Sequence, residues 1–212
     1  MKETGIIMSG DHPKLILDGI KTQTRRVIKP QPSQTGNIFV DKIDREILTM
    51  VECCPYGQVG DRLWVRETHQ YLNVASTASE HDFGVKYKAD GEIKWWRDNA
   101  GIMDYPINEK IRPSIHLKEM FVRIWLEITE VRVERVQEIS DVDVQAEGCQ
   151  YPQWLGSHTS WQGAYKALWD SLDAKRKPTK FDREQGITEP ITPSYAWVSN
   201  PWVWVISFKG VE

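Results

Sequence analysis

The chain has 212 residues, of which 40% are hydrophobic and 27% charged, with a formal net charge of -3 and a pI near 6.0. This length is enough to bury a core, and the slight acidity argues against a protein that coats nucleic acid non-specifically. No stretch approaches the roughly 20 apolar residues of a membrane span, and no apolar signal segment is visible, so we expect a cytoplasmic protein with no membrane partner.

The N-terminal segment predicts a strand, a helix and a second strand. Residues 6–8 are apolar and suit a short strand, and Pro13 is typical of a helix start. Gly19 is placed to end that helix, so that residues 21–27 leave it as a strand. Residues 1–33 contain six Lys or Arg and three acids, a local charge of +3 in an acidic chain. Positive charge is therefore concentrated around this second strand.

Residues 19–26 place a lysine, two threonines and two arginines within eight positions. A lysine crowded by arginines has its ammonium form disfavoured and becomes a candidate base, and the density of donors suits an anionic or hydrogen-bonding ligand. A solvated basic edge strand explains the same residues equally well. On a regular strand Lys21 and Thr24 point to opposite faces. The two side chains can cooperate only if Lys21 lies before the start of the regular strand, or if its long aliphatic chain bends round towards Thr24.

The middle of the chain predicts further strands. A turn rich in Gly and Pro leads to an alternating strand over residues 62–66, and another strand is expected at 85–88. Polar loops are expected around Trp95 and Trp96. Apolar and polar residues alternate strongly over residues 121–136. Near Thr129 the apolar residues change from even-numbered to odd-numbered positions, which predicts a bulge or turn there.

Two helices are predicted in the C-terminal third. Ser140 and Asp143 form a capping box that opens a short helix, Glu147 falls in its last turn, and Gly148 closes it. Apolar residues at helical spacing predict an amphipathic helix over residues 161–174. Residues 175–200 are expected to run over the surface as an excursion from the core, and residues 202–209 are expected to form a closing strand. Many short strands with few helices predict an α+β fold built on a small barrel.

Cysteines and histidines do not indicate a metal site or a disulfide framework. Of the three cysteines, Cys53 and Cys54 are adjacent and lack paired zinc spacing, which is typical of a reducing compartment. Cys54 is best interpreted as a buried turn residue, because no base is visible beside it. The five histidines are scattered and are interpreted as structural or exposed. No cofactor is predicted.

Four motifs in order resemble the ASCH domain, a branch of the PUA-like barrel superfamily. They are Gly19-x-Lys21-Thr-x-Thr24-x-Arg26, Gly60-Asp61-x-Leu63, Ser140-x-x-Asp-x-x-Ala-Glu147-Gly148 and Trp204-Val-Ile-Ser-Phe-Lys209. The resemblance spans nearly the whole chain, with insertions at about residues 70–120 and 150–200. It implies a PUA-like small mixed β-barrel flanked by short helices, in a single elaborated domain over residues 1–212. Elaborated ASCH proteins of this kind are similar to those of bacterial chromosomes and phages.

The resemblance also implies an activity. Small bacterial ASCH proteins that are similar at the first motif are amidohydrolases that remove the acetyl group from N4-acetylcytidine, and their catalytic lysine, threonine and glutamate match Lys21, Thr24 and Glu147. In this metal-free hypothesis Thr24 attacks, Lys21 takes its proton, and Glu147 protonates the leaving amine. Arg26 or backbone N–H groups would hold the oxyanion.

Five residues are candidate substrate-binding residues: Thr22, Arg25, Arg26, Trp64 and Arg66. The ligand is expected to be a nucleoside or modified base. One alternative is a catalytically silent module that binds single-stranded RNA or a modified base through the same pocket. A second alternative is a ribonuclease, which some ASCH relatives are reported to be. Arg25 departs from the family pattern, and it adds a large cation beside the proposed base.

Overall fold

A computed structural model describes residues 1–8, 10–29, 31–32, 38–40, 47–73, 82–97, 110–149, 160–172, 184–186 and 195–211. The chain divides into two compact units. Unit 1 comprises Met1–Ile20, Val59–Thr129 and Phe208–Glu212, and unit 2 comprises Lys21–Gln58 and Glu130–Ser207.

Strands predominate in the described residues. The strands are β1 (Glu3–Ile7), β2 (Gln23–Val27), β3 (Ile38–Val40), β4 (Ile47–Thr49), β5 (Arg62–Arg66), β6 (His69–Asn73), β7 (Asp82–Tyr87), β8 (Ile93–Arg97), β9 (Trp125–Arg135) and β10 (Trp202–Val211). The α-helices are α1 (His12–Leu17), α2 (Asp141–Ala146) and α3 (Trp161–Leu172).

The strands form mixed sheets, which confirms the α+β class. The largest sheet has the order β1-β5-β9-β10-β2, and smaller sheets have the orders β6-β7-β8 and β3-β4. β1 pairs with β5 in parallel, whereas β5 with β9 and β10 with β2 are antiparallel. Among the described strands the largest sheet ends at β1 and β2, so these strands do not form a closed barrel.

In unit 1, the segment expected to form polar loops around Trp95 and Trp96 is a strand, so that prediction was wrong. β8 pairs with β7, and Trp95 lies opposite Gly84. The Trp96 ring packs edge-on to Phe121 with centroids 5.2 Å apart. Aromatic packing against a small cross-strand partner therefore stabilises a strand in a segment of polar composition.

A buried guanidinium connects the segments of unit 1. Arg123 donates both Nε and Nη2 to the Glu67 carboxylate at 2.7 Å, and Nη1 to Asp90 and Glu92. Its Cζ lies 4.1 Å from the centroid of the Tyr87 ring. Since buried charges are tolerated only when paired, this cluster constrains where β5, the turn after β7 and the start of β9 lie within the unit.

β9 runs as one continuous strand through Thr129, where a bulge or turn was expected. Leu126 and Ile128 are buried, Thr129 and Glu130 are both exposed, and the next buried residue is Val131. The change of parity read from the sequence is thus real, but it occurs inside one continuous strand. It coincides with the point where β9 passes from unit 1 to unit 2.

The core of unit 2 packs two helices against strand residues. Its buried members are Val136, Ile139, Val144, Tyr165, Trp169, Val203 and Val205. Ser140 caps α2 by accepting a hydrogen bond from the Asp143 backbone at 3.2 Å, as its sequence predicted. Trp169 donates its indole N–H to the Tyr195 carbonyl at 2.9 Å, so its polar edge is satisfied.

Other local predictions are confirmed with small shifts at their ends. Pro13 lies in the first turn of α1, and Gly19 has the positive φ of 71° that ends a helix. β2 begins at Gln23 rather than at Lys21. Cys54 is a buried turn residue, as expected. The pair β3 and β4 was not predicted, and most of the expected 175–200 excursion lies outside the described residues.

One glycine of unit 1 is required by an aromatic neighbour, and we expect its replacement to destabilise the protein. Gly5 on β1 pairs with Trp64, and a Cβ added at Gly5 would lie 2.6 to 2.9 Å from three atoms of the indole. Gly5→Ala should therefore lower the free energy of unfolding by about 1–3 kcal/mol, measured by urea titration. Gly210→Ala on β10 is the matched control, because a Cβ there meets nothing within 4 Å. Equal stability of both variants would contradict this packing.

Candidate functional site

The site is built around Lys21, which lies between α1 and β2. Its backbone neighbour Thr22 donates its N–H to the Ala146 carbonyl at 2.8 Å, which holds this segment beside the end of α2. The Lys21 ammonium donates to the Gln23 carbonyl at 2.8 Å, and to the carbonyl and carboxylate Oε2 of Glu147 at 2.7 Å each. The side chain is 1% exposed. All three ammonium hydrogens therefore have acceptors inside the protein.

Glu147 is held by the end of α2 and by two cations. It is the C-cap residue of α2, and Gly148 follows with a φ of 78°, which turns the chain away. Its Oε2 accepts from Lys21 and its Oε1 from Arg25 Nη1 at 3.2 Å. The residue is 4% exposed. Both carboxylate oxygens are thus engaged by buried positive charge.

Arg25 is the most heavily paired side chain of the site. Its Nε and Nη2 donate to Glu134 Oε1 at 3.0 and 2.5 Å, and its Nη2 lies 3.3 Å from Asp143 Oδ2. Its Nη1 donates to Gln23 Oε1 at 2.6 Å as well as to Glu147. The side chain has no exposed surface. Three carboxylates therefore neutralise the cation that the sequence placed among the substrate-binding residues.

An outer shell ties this cluster to β9 and β10. Arg132 on β9 contacts Glu130, Glu134 and Asp143 at 2.9 to 3.2 Å. Ser207 on β10 donates its hydroxyl to Glu130 at 3.1 Å. The polar side chains therefore form one connected ion network within unit 2, which includes Lys21, Gln23, Arg25, Glu130, Arg132, Glu134, Asp143, Glu147 and Ser207.

Burial and pairing shift the pKa values in the network in opposite directions. Burial lowers the pKa of Lys21, an effect that the Glu147 carboxylate opposes. Burial raises the pKa of Tyr165, and the negative charge of Glu147 raises it further. For Asp143, burial would raise the pKa, but hydrogen bonds from Ser140, Gln23 and Arg132 outweigh it, so the pKa is lowered.

The structure brings Lys21 and Glu147 into contact, although they are 126 positions apart. Thr24 is 4% exposed and lies on β2 opposite Ile206, and strand alternation turns its side chain away from the face that Gln23 and Arg25 share. The three hydrogen bonds of the Lys21 ammonium all go to residues other than Thr24.

The remaining predicted binding residues lie in different surroundings. Thr22 is exposed, and Arg26 is half-buried on β2. Trp64 and Arg66 belong to unit 1, where the Arg66 guanidinium lies 4.5 Å from the Trp64 ring centroid. Their pairing is a cation–π contact within β5.

Two cavities lie along β2 in unit 2. The first, of about 380 Å³, is lined by Arg25, Arg26, Val27, Lys29, Tyr56, Trp169 and Leu172. The second, also about 380 Å³, is lined by Val27, Ile28, Lys29, Cys53, Pro55, Tyr56 and Trp204. Lys21, Thr24 and Glu147 line neither cavity. The first cavity therefore adjoins the ion network, because Arg25 belongs to the network and also lines that cavity.

Sequence reasoning missed several of these residues. Tyr56 was seen only as part of a turn, and Asp143 only as part of a capping box. The charges of Glu130, Arg132 and Glu134 alternate in sign along one face of a strand. This pattern predicts an ion network, because opposite charges on one face can pair.

The described residues contain neither a metal-type cluster nor a membrane-spanning helix. No cluster of three or more His, Cys, Asp or Glu side chains there has the arrangement of a metal site. Within the same part of the chain, no helix combines the length and apolar character needed to cross a bilayer.

Comparison with known proteins gives matches to solved structures. The chain matches no protein-family model and no curated protein. It is similar to an ASCH domain from Lactobacillus crispatus JV V101, with 16% identity, a TM-score of 0.37, and coverage of 99% of this chain and 79% of the other. It is also similar to a DUF984 protein from Enterococcus faecalis V583, with 11% identity, a TM-score of 0.39, and coverage of 100% and 77%. The first bears the name of the family that the motifs resemble.

The lowered pKa of Asp143 predicts a specific acid sensitivity. A depressed carboxylate pKa contributes stability that is complete above the ordinary value of 3.8 and is lost as the pH falls through the folded-state pKa. We expect wild type to lose stability relative to Asp143→Asn as the pH is lowered from about 5 to about 2, measured by urea unfolding midpoints. Asp141→Asn, at an exposed position of the same helix, is the control. Parallel curves for wild type and Asp143→Asn would exclude this contribution.

Proposed function

We propose that unit 2 binds a ligand of the nucleobase type in the first cavity. The observation that carries this proposal is the composition of the cavity wall, where the rings of Tyr56 and Trp169 lie with Arg25, Arg26 and Lys29 around about 380 Å³. Ligand pockets usually hold about 300–1,000 Å³, so the volume suits a single base or nucleoside. Flat rings and cations are the groups that bind planar, hydrogen-bonding bases.

The ion network supports binding by fixing the strand that forms the wall. Arg25, Arg26 and Val27 reach the cavity from consecutive positions of β2, and Arg25 is held by Glu134, Asp143 and Glu147. A wall that is already ordered does not have to be ordered by the ligand, so less binding free energy is lost. The Lys21 and Glu147 side chains, which line neither cavity, then act as supports of this wall.

Binding is tested with cytidine and N4-acetylcytidine, followed by calorimetry and by tryptophan fluorescence. Base–aromatic stacking contributes about 1–3 kcal/mol per base, so Tyr56→Leu should weaken affinity by about tenfold. Tyr56→Phe is the matched control, because it keeps the ring and removes only the hydroxyl. Undetectable binding of both nucleosides to wild type, or equal affinity of wild type and Tyr56→Leu, would overturn the proposal.

The second candidate is metal-free amide hydrolysis, which the contact between Lys21 and Glu147 favours. Burial disfavours the charged amine, so transfer of the Lys21 proton to Glu147 would leave a neutral base beside a proton donor. Thr24 would attack the acyl carbon, its proton would pass to Lys21, and Glu147 would protonate the amine as the C–N bond breaks. Water would then hydrolyse the Thr24 ester. This sequence requires Thr24 to reach Lys21 in the presence of substrate.

Hydrolysis is tested by incubating N4-acetylcytidine with the protein and measuring acetate and cytidine by mass spectrometry. If this candidate is correct, Thr24→Val and Glu147→Gln should each reduce turnover by about a hundredfold or more while folding persists. Thr129→Val, at an exposed position of β9, is the matched control and should keep full turnover. Binding without turnover in wild type, or unchanged turnover in Thr24→Val, would leave only the binding function.

A further inference from the structure

The two cavities along β2 share one wall. Val27, Lys29 and Tyr56 line both of them. Each cavity also has an indole of its own, Trp169 in the first and Trp204 in the second. Two ring-lined spaces of equal volume therefore adjoin a single lysine and a single tyrosine.

Lys29 differs in its charge environment from Lys21 and Arg25. Lys21 and Arg25 are buried and paired with carboxylates. Lys29 is exposed, and its ammonium lies over the Tyr195 ring, with Nζ 4.8 Å from the ring centroid. Within the described ranges no carboxylate lies within ion-pair distance of it. As far as the described residues go, its positive charge therefore has no carboxylate partner where the two cavities meet.

We propose that Lys29 binds the phosphate of a nucleotide whose base occupies one of the two cavities, an inference that rests on the proposed binding of a nucleobase. A flexible ammonium is a general phosphate ligand, and a phosphate ester is the anionic group that accompanies a base. The ion network leaves Arg25 already paired, so the anion is assigned to Lys29, the cation that lines both cavities. The ligand class is therefore a nucleotide rather than a free nucleoside.

The phosphate can be terminal or can link two nucleotides. With a terminal phosphate, one cavity holds the base. With a linking phosphate, each cavity holds one base, Tyr56 and Trp169 bordering the first and Tyr56 and Trp204 the second. The recognition chemistry at Lys29 is the same in both cases, and the ligands used in the test separate them.

The test measures the affinity of the whole protein for cytidine, cytidine 5′-monophosphate and the dinucleotide cytidylyl-(3′→5′)-cytidine by calorimetry. We expect a phosphate-bearing ligand to bind wild type about tenfold more tightly than cytidine, since one charge-assisted contact contributes on the order of that factor. Lys29→Gln should abolish this advantage, so that cytidine and the phosphate-bearing ligands bind the variant with similar affinity. Lys166→Gln, which removes an exposed lysine of α3, should keep the advantage.

The outcomes distinguish this inference from the function on which it rests. Cytidine binding with no gain from phosphate, or a gain that persists in Lys29→Gln, overturns the phosphate site and leaves base binding intact. Failure of all three ligands to bind overturns both. A gain lost in Lys29→Gln supports the site, and the tighter of the monophosphate and the dinucleotide then identifies the phosphate as terminal or linking.

Discussion

The arrangement of unit 2 depends on the buried contact of Arg25 and Lys21 with Glu147. Two cations and a carboxylate with almost no exposed surface are tolerable only as partners, because an unpaired buried charge costs several kcal/mol. Removing one member leaves the others buried without a partner, which typically lowers the free energy of unfolding by about 3–5 kcal/mol. The start of β2 and the end of α2 are therefore held together by electrostatics as well as by the apolar core beside them.

Arg25 explains why the site differs from the simple acid–base pair that the motifs imply. Its guanidinium engages Glu147 Oε1 while Lys21 engages Oε2, and Glu134 and Asp143 complete its surroundings. Glu147 is therefore part of a larger buried ion network rather than of an isolated pair with Lys21. The same contacts fix the position of Arg25 on β2, where it also lines the first cavity.

Much of the local structure was predictable, because it depends on short-range rules. Ser140 caps α2, Gly19 ends α1 with a positive φ, and the parity change near Thr129 is present in β9. The strand at Trp95 and Trp96 was not predictable from its polar composition, since its stability comes from Gly84 and Phe121 elsewhere in the chain. Membership of Lys21 and Glu147 in one site came from the resemblance of ordered motifs.

By itself the sequence determined which residue types surround β2 and where helices and strands begin, because caps, glycines and alternation act over a few residues. Only the tertiary structure decided that Glu134 and Asp143 neutralise Arg25, and that Lys29, which has no carboxylate partner among the described residues, lies at the wall of two cavities. Pairing of charges separated by more than a hundred positions depends on strand register and on how the chain folds back, and neither is encoded in local spacing.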